Sequence, residues 1–213
     1  MSESRPVPDA RAAAPPWDAR LARRLVRKLQ HSPVTPNHLT TVRLAVGIAA
    51  AGAFMHGGYG WMNLGALLFV LSNFLDHADG ELARITGKTS RLGHWYDLAS
   101  DALITILLFT SIGSGLGADA TGVPSSLQLG AIAGISVALI FYLRMRIEER
   151  AGKAASEQGA LGGFQTEDVL YLLPLVTLCD GAALFLGVAA VGAPLYLVWV
   201  LFDYRRVTRG TVR

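Results

Sequence analysis

The chain has a single cysteine, Cys179, in 213 residues. One thiol excludes an internal disulfide framework, and its natural role is that of a small buried apolar side chain. Charge is scarce as well. Asp, Glu, Lys and Arg make up 16% of the residues against 52% hydrophobic ones. With a positive mean hydropathy of +0.39, that balance puts the chain in the membrane class. It is also too short for two sizeable domains. The net charge is only +3, so what matters is where the charges fall.

Residues 1–16 are rich in Ala, Pro and Arg and lack the apolar run of a signal peptide, so a disordered tail is predicted there. From Trp17 the pattern changes. Trp17, Leu21, Leu25 and Leu29 recur every four residues, while Arg20, Arg23, Arg24, Arg27 and Lys28 take the other face. This predicts an interfacial amphipathic helix over 17–33. It runs directly into a membrane span, so its partner is an anionic lipid surface and not a nucleic acid.

The remainder, 34–213, reads as one all-α integral membrane domain of six transmembrane helices. A crossing needs about 20 apolar residues. The spans fall near 38–56, 62–85, 94–116, 126–147, 166–183 and 185–204. In the last pair the turn falls at Asp180-Gly181 or at Gly187, and a single re-entrant hairpin is the competing reading. Thr35 is placed to cap the first span with Pro36 at its first helical position. Gly47, Gly52, Gly113 and Gly115 are placed to allow close helix contacts. All nineteen Lys and Arg fall in the N-terminal arm through Arg43, the 84–91 and 144–153 connections and the 205–213 tail. By the positive-inside rule both termini are cytoplasmic.

Against this background the stretch from Asp76 to Asp101 is out of place. Acidic residues in or beside a span are costly, which marks them as a functional site. Asp76 and Asp79 are three apart, and Asp97 and Asp101 four apart. Each pair therefore projects from one face of its helix, at the cytoplasmic mouth. Four carboxylates brought together repel one another unless a cation holds them. Oxygen-only ligands favour Mg2+ or Mn2+ over zinc. Gly80 and Gly93 clear space beside the acids, and Arg84 offers a fork for phosphate oxygens. Together these point to a nucleotide diphosphate as ligand.

The string Asp76-x2-Asp79-Gly80-x2-Ala83-Arg84-x8-Gly93-x3-Asp97-x3-Asp101 resembles the signature of the CDP-alcohol phosphotransferases. All eight of its fixed positions are filled within twenty-six residues. The upstream element Pro36-Asn37-x-Leu39-Thr40-x2-Arg43 is similar to a second family element. The resemblance implies a six-helix fold, a homodimer, and transfer of a substituted phosphate from a CDP-activated donor to an alcohol with release of CMP. It also implies that Asp76, Asp79, Asp97 and Asp101 hold two divalent metal ions, with Asp101 also the general base. Asn37, Thr40, Gly80, Ala83, Arg84, Ser90 and Gly93 would bind the donor nucleotide or its phosphates.

Arg144 and Arg146 are candidates for gripping an anionic acceptor, against a plain solvated helical extension with a Glu149–Lys153 pair. CDP-diacylglycerol with a small polar alcohol is the favoured substrate pair. The alternative is a CDP-linked small alcohol passing its head group to a lipid hydroxyl such as that of diacylglycerol. The expected location is the cytoplasmic membrane of a bacterium, with the site facing the cytoplasm. A proton or cation transporter is a reading of another class, disfavoured because the acids cluster at one mouth and no inverted repeat is visible. His77 and His94 read as hydrogen-bonded interface histidines, and Glu81 as a partner of water, Arg84 or Lys88. Thr166 with Glu167 and Asp168 reads as a helix cap after a turn at Gly159, Gly162 and Gly163.

Overall fold

The structure is a computed structural model and describes residues 17–117, 125–151 and 170–210. The expected tail over 1–16, Lys153, the Gly159–Gly163 turn and the Thr166 cap lie outside the described residues. Among those residues all regular structure is helical: α1 (Trp17–Val26), α2 (Pro36–His56), α3 (Tyr59–Thr86), α4 (Arg91–Leu116), α5 (Ser126–Ala151), α6 (Leu173–Leu178) and α7 (Ala182–Gly210).

Local chemistry sets the boundaries. Thr35 caps α2 in extended conformation, accepting from the His38 amide at 3.4 Å, with Pro36 opening the helix. Gly57 and Gly58, at φ 73° and 77°, then turn the chain within two residues and lay α3 back along α2. Ser90 caps α4 by accepting from the Gly93 amide at 2.9 Å. Asp180, at φ 53°, turns the chain before α7, so the last turn falls at Asp180-Gly181 and not at Gly187. Pro194 lies inside α7.

Among the described residues, four helices are long and apolar enough to cross a membrane: α2, α4, α5 and α7. The helix α3 has the length, with 28 residues, but carries Asp76, Asp79, Glu81 and Arg84 in its second half. The helix α6 spans only six of the described residues.

α2 is flanked by α3 on one side and α4 on the other; α5 packs on α4, and α7 on α5. Phe54, Ala66, Leu108, Ile112, Ala133 and Leu186 form the shared core. Lipid is as apolar as these side chains, so close approach and not water exclusion must hold the bundle. A Cβ on Gly115 would run into the Phe54 carbonyl, and one on Gly113 into the Ser126 carbonyl. A Cβ on Gly47 would stand 2.9 Å from Ile104 Cγ1. Gly52 has nothing within 4 Å of a Cβ and is no such contact.

The helix α1 is shorter than the predicted 17–33, and turns continue from Arg27 to Ser32. Its buried face is Ala22 and Val26, packed on Ala78 and Leu82 of α3, with Leu29 partly buried beside them. Leu21 and Leu25 of the predicted apolar stripe are exposed. The docked face is carried by Ala22 and Val26, each one residue on from the leucine stripe, so the stripe alone did not say which side packs on protein.

Candidate active site

The up-and-down packing brings three helix segments to one place: the start of α2, the second half of α3 and the start of α4. Oxygens of Asp76, Asp97 and Asp101 all lie within 4.8 Å of one another. The two helices do converge their carboxylates. Asp76, Asp97 and Asp101 are part-exposed, at 32%, 40% and 44% of their side chains. Asp79 is different. It is buried, and its Oδ2 accepts from Thr40 Oγ1 at 2.8 Å.

At the centre is a residue that the sequence reading took only as the last position of the upstream element. Arg43, buried on α2, donates from Nη1 to Asp76 and to Asp97 at 3.1 Å, and from Nη2 to Asp101. Its Nη1 is 3.9 Å from Asp79. One guanidinium thus serves four carboxylates, leaving the cluster formally acidic. A signal existed. Arg43 falls on the same helical stripe as buried Thr40, Gly47, Ala50 and Phe54, and a buried cation must find counter-charge.

Beside the acids is a cleft of about 190 Å³ lined by Asp76, His77, Asp79, Gly80, Glu81, Arg84, Asp97 and Asp101. A Cβ on Gly80 would meet nothing within 4 Å, so this glycine fills no packing need and leaves the cleft open. Arg84 is held by Glu81 at 2.5 Å, and Glu81 in turn lies 3.9 Å from Arg23 of α1. Glu81 is itself buried, so the sequence expectation of a partner in Arg84 holds, with α1 as an addition.

None of the remaining predicted donor residues, Asn37, Thr40, Ala83, Ser90 and Gly93, lines this cleft. A Cβ on Gly93 would stand 2.9 Å from Asn37 Oδ1 and 3.0 Å from Ser90 Oγ. Gly93 is therefore what lets the start of α2 meet the cap of α4. Thr40 faces Asp79 and is buried behind the cleft. The Ala83 carbonyl accepts the Gly87 amide that closes α3. Thr41 and Tyr96 add a 3.1 Å hydroxyl contact between α2 and α4 that the sequence did not announce. His77 sits against Asn73 carbonyl at 3.0 Å and Tyr171 hydroxyl at 3.4 Å, the hydrogen-bonded role expected of it.

A second, larger cavity of about 510 Å³ lies between the start of α4 and the end of α5, lined by Thr89, Ser90, Arg91, His94, Trp95, Tyr142, Met145, Arg146 and Glu149. His94, in this cavity, shares one face of α4 with Asp97 and Asp101 and stands about one helical turn before Asp97. Arg146 opens into it, held by Glu149 at 2.7 Å. Arg144 does not. It packs over the rings of Trp199 and Tyr196, at 5.1 and 5.8 Å, and donates to the Tyr196 hydroxyl at 2.9 Å.

The residues present fit a hard divalent cation: the donor set is carboxylate oxygen only, three groups can reach one point, and Gly80 leaves room beside them. Comparison with known proteins agrees. The family described as CDP-alcohol phosphatidyltransferase matches residues 33–202. A bifunctional IPC transferase and DIPP synthase of Rubrobacter xylanophilus is 33% identical over 170 residues, covering 77% of this chain and 36% of that protein. The protein of the same name from Thermococcus kodakarensis is 37% identical over 79 residues, covering 37% of this chain and 17% of its own. The chain thus aligns with about a third or less of these relatives' length. Among solved structures, a crystal structure of Mycobacterium tuberculosis phosphatidylinositol phosphate synthase with CDP-DAG bound shares the fold, with a TM-score of 0.64 and 18% identity, covering 87% of this chain and 94% of that one. With the signature acids gathered at one cleft and the family matched over most of its length, the chain belongs to the CDP-alcohol phosphatidyltransferases and is an enzyme of that family.

Proposed function

We propose that the protein transfers a phosphatidyl group from CDP-diacylglycerol to a small polar alcohol, releasing CMP, at the cytoplasmic face of a membrane. The observation that carries this reading is the meeting of Asp76, Asp97 and Asp101 beside a cleft kept open by Gly80. Six crossings are inferred, with α3 and the segment ending at Asp180 as the second and fifth; Tyr59–Leu75 offers seventeen uncharged residues for the former. The three-part division at 17 and 34, cytoplasmic termini, a homodimer and a bacterial inner membrane complete the reading.

Mg2+ or Mn2+, as two ions held by Asp76, Asp79, Asp97 and Asp101, would bind the diphosphate and offset the charge that develops as CMP leaves. The chain's own groups do the rest. Arg84, steadied by Glu81, presents its fork to the donor phosphates. Asn37, Thr40, Ala83, Ser90 and Gly93 shape the nucleotide's surroundings. Thr40 keeps Asp79 in place, and Gly93 lets Asn37 and Ser90 close on each other. Asp101 takes the proton of the acceptor hydroxyl as its oxygen bonds to the donor phosphorus and the bond to CMP breaks. The larger cavity, one helical turn from Asp97, is the acceptor's place, with Arg146 gripping an anionic acceptor. Arg144 acts there only through α7, by the packing described above.

The relatives' name supports a second reading, since it is not that of a phosphatidyltransferase. In it, a CDP-linked small alcohol is the donor. One experiment separates the two. Purified protein with Mg2+ or Mn2+ is given labelled CDP-diacylglycerol or CDP-linked small alcohols, each with a panel of acceptors including glycerol phosphate, inositol phosphate, serine and diacylglycerol. CMP from the lipid donor upholds the first reading, and CMP only from the small donors upholds the second. No CMP from any pair sinks both.

A further inference from the structure

Among the described residues, Arg43 is the cation placed among the four signature acids, and its position is fixed from behind. Its carbonyl accepts from Ser72 Oγ of α3 at 3.0 Å, and its side chain is only 2% exposed, so the guanidinium is withdrawn from bulk water. The carboxylates it bonds, Asp76, Asp97 and Asp101, are the same three whose oxygens converge within 4.8 Å. A divalent ion seated on those oxygens would face the guanidinium at short range, with like charges in a poorly screened setting. Without any cation, the three acids would repel one another and splay. The two demands conflict, and one movable charge answers both.

We propose that Arg43 is the built-in counter-ion of this site. It holds Asp76, Asp97 and Asp101 together while the site is free of metal, and it gives up at least one of them when a divalent cation loads. Guanidinium and cation therefore compete for one set of oxygens, which makes Arg43 a positioning residue for the cluster and a brake on metal affinity. Once displaced, its tethered fork stays beside Asp79, 3.9 Å away, and remains in the floor of the cleft. The inference rests on the reading of the cluster as a metal site.

The test uses the full chain, purified in detergent and stripped with chelator. Mn2+ binding is read from the loss of the free-ion electron paramagnetic resonance signal, and thermal unfolding is followed with and without saturating Mn2+. Arg43→Gln keeps size and polarity without charge. It should bind Mn2+ at least about tenfold tighter than the wild type, and it should melt below the wild type in chelator, with the gap closing in Mn2+. Arg43→Lys, a point charge that cannot bridge three carboxylates, should fall between them. Equal or weaker Mn2+ binding by Arg43→Gln overturns the proposal. So does a variant that stays unfolded, or stays equally destabilised, in saturating Mn2+, because the ion must then be unable to replace the guanidinium. A wild type that takes up no Mn2+ removes the metal reading itself, a result distinct from either.

Discussion

Thr40 on α2 donates a 2.8 Å hydrogen bond to Asp79 on α3, and both side chains are buried. Asp79 is thereby set apart from the other three signature acids, which are part-exposed at the mouth. Its position depends on a hydroxyl from another helix. Thr40→Val removes the donor without changing shape, so a buried carboxylate loses a partner, at a cost of about 1–3 kcal/mol. The expected result is a lower melting temperature and a loss of CMP formation, both largely restored by Thr40→Ser. Thermal unfolding and CMP release on the three proteins check it. An unchanged Thr40→Val enzyme would show that the bond does not matter.

Gly80 and Gly93 are both signature glycines, yet the structure gives them opposite reasons. Around Gly80 a Cβ meets nothing within 4 Å, and the residue sits in the interior of α3. Gly80→Ala should therefore leave stability equal or raise it by up to about 1 kcal/mol through helix propensity. CMP formation should nonetheless fall, because the methyl group enters the cleft that the diphosphate needs. A larger side chain, Gly80→Leu, should abolish turnover with the protein still folded. Melting curves and CMP assays on the same preparations read both effects, and a fully active Gly80→Leu enzyme would contradict the cleft's role.

At Gly93 the space is already taken. A Cβ would press within 2.9 Å of Asn37 and 3.0 Å of the Ser90 cap, so Gly93→Ala must push α2 and the start of α4 apart. The expected signature is a raised KM for the CDP donor accompanied by a modest fall in melting temperature. Steady-state kinetics at varied donor concentration would show it. A change in kcat alone would mean that these two side chains do not shape the nucleotide's seat.

Much of this was legible in the sequence, and the gaps have physical causes. Two aspartate pairs at helical spacing announced a site because charge in an apolar setting has few explanations. The cap at Thr35 was available, and Asp180-Gly181 was one of two candidate last turns, because caps and left-handed turns are local; the cap at Ser90 went unread. The sequence could name Arg43 as a motif residue but not place it at the centre of four acids, since that depends on three helices meeting. Nor could it tell Arg144 from Arg146. Both are basic residues two apart on one helix, and which of them faces α7 is decided by the packing of α5, not by composition.

Asp97 offers the cleanest test of the acids. It is 40% exposed, so Asp97→Asn removes a charge without burying an unpaired group, and it leaves Arg43 its contacts with Asp76 and Asp101. Folding should be unaffected. CMP formation should drop on the order of a hundredfold or more, the scale of losing a group that stabilises developing charge. Retained turnover in this variant would remove Asp97 from the site.

The two arginines of α5 should separate by readout. Arg144 is held between α5 and α7 by the rings of Tyr196 and Trp199 and by the Tyr196 hydroxyl. Replacing it by Ala removes a cation–π contact worth about 0.5–2 kcal/mol together with a hydrogen bond, so the melting temperature should fall. The acceptor KM should change little. Arg146, open to the larger cavity with Glu149 as its neighbour, should behave in the reverse way. Arg146→Ala should raise the KM for an anionic acceptor at least severalfold with the melting temperature unchanged, and the effect should shrink for a neutral acceptor because the lost interaction is one of charge. If the acceptor KM instead followed Arg144, the acceptor would have to lie against α7, and the cavity between α4 and α5 would lose its assigned role.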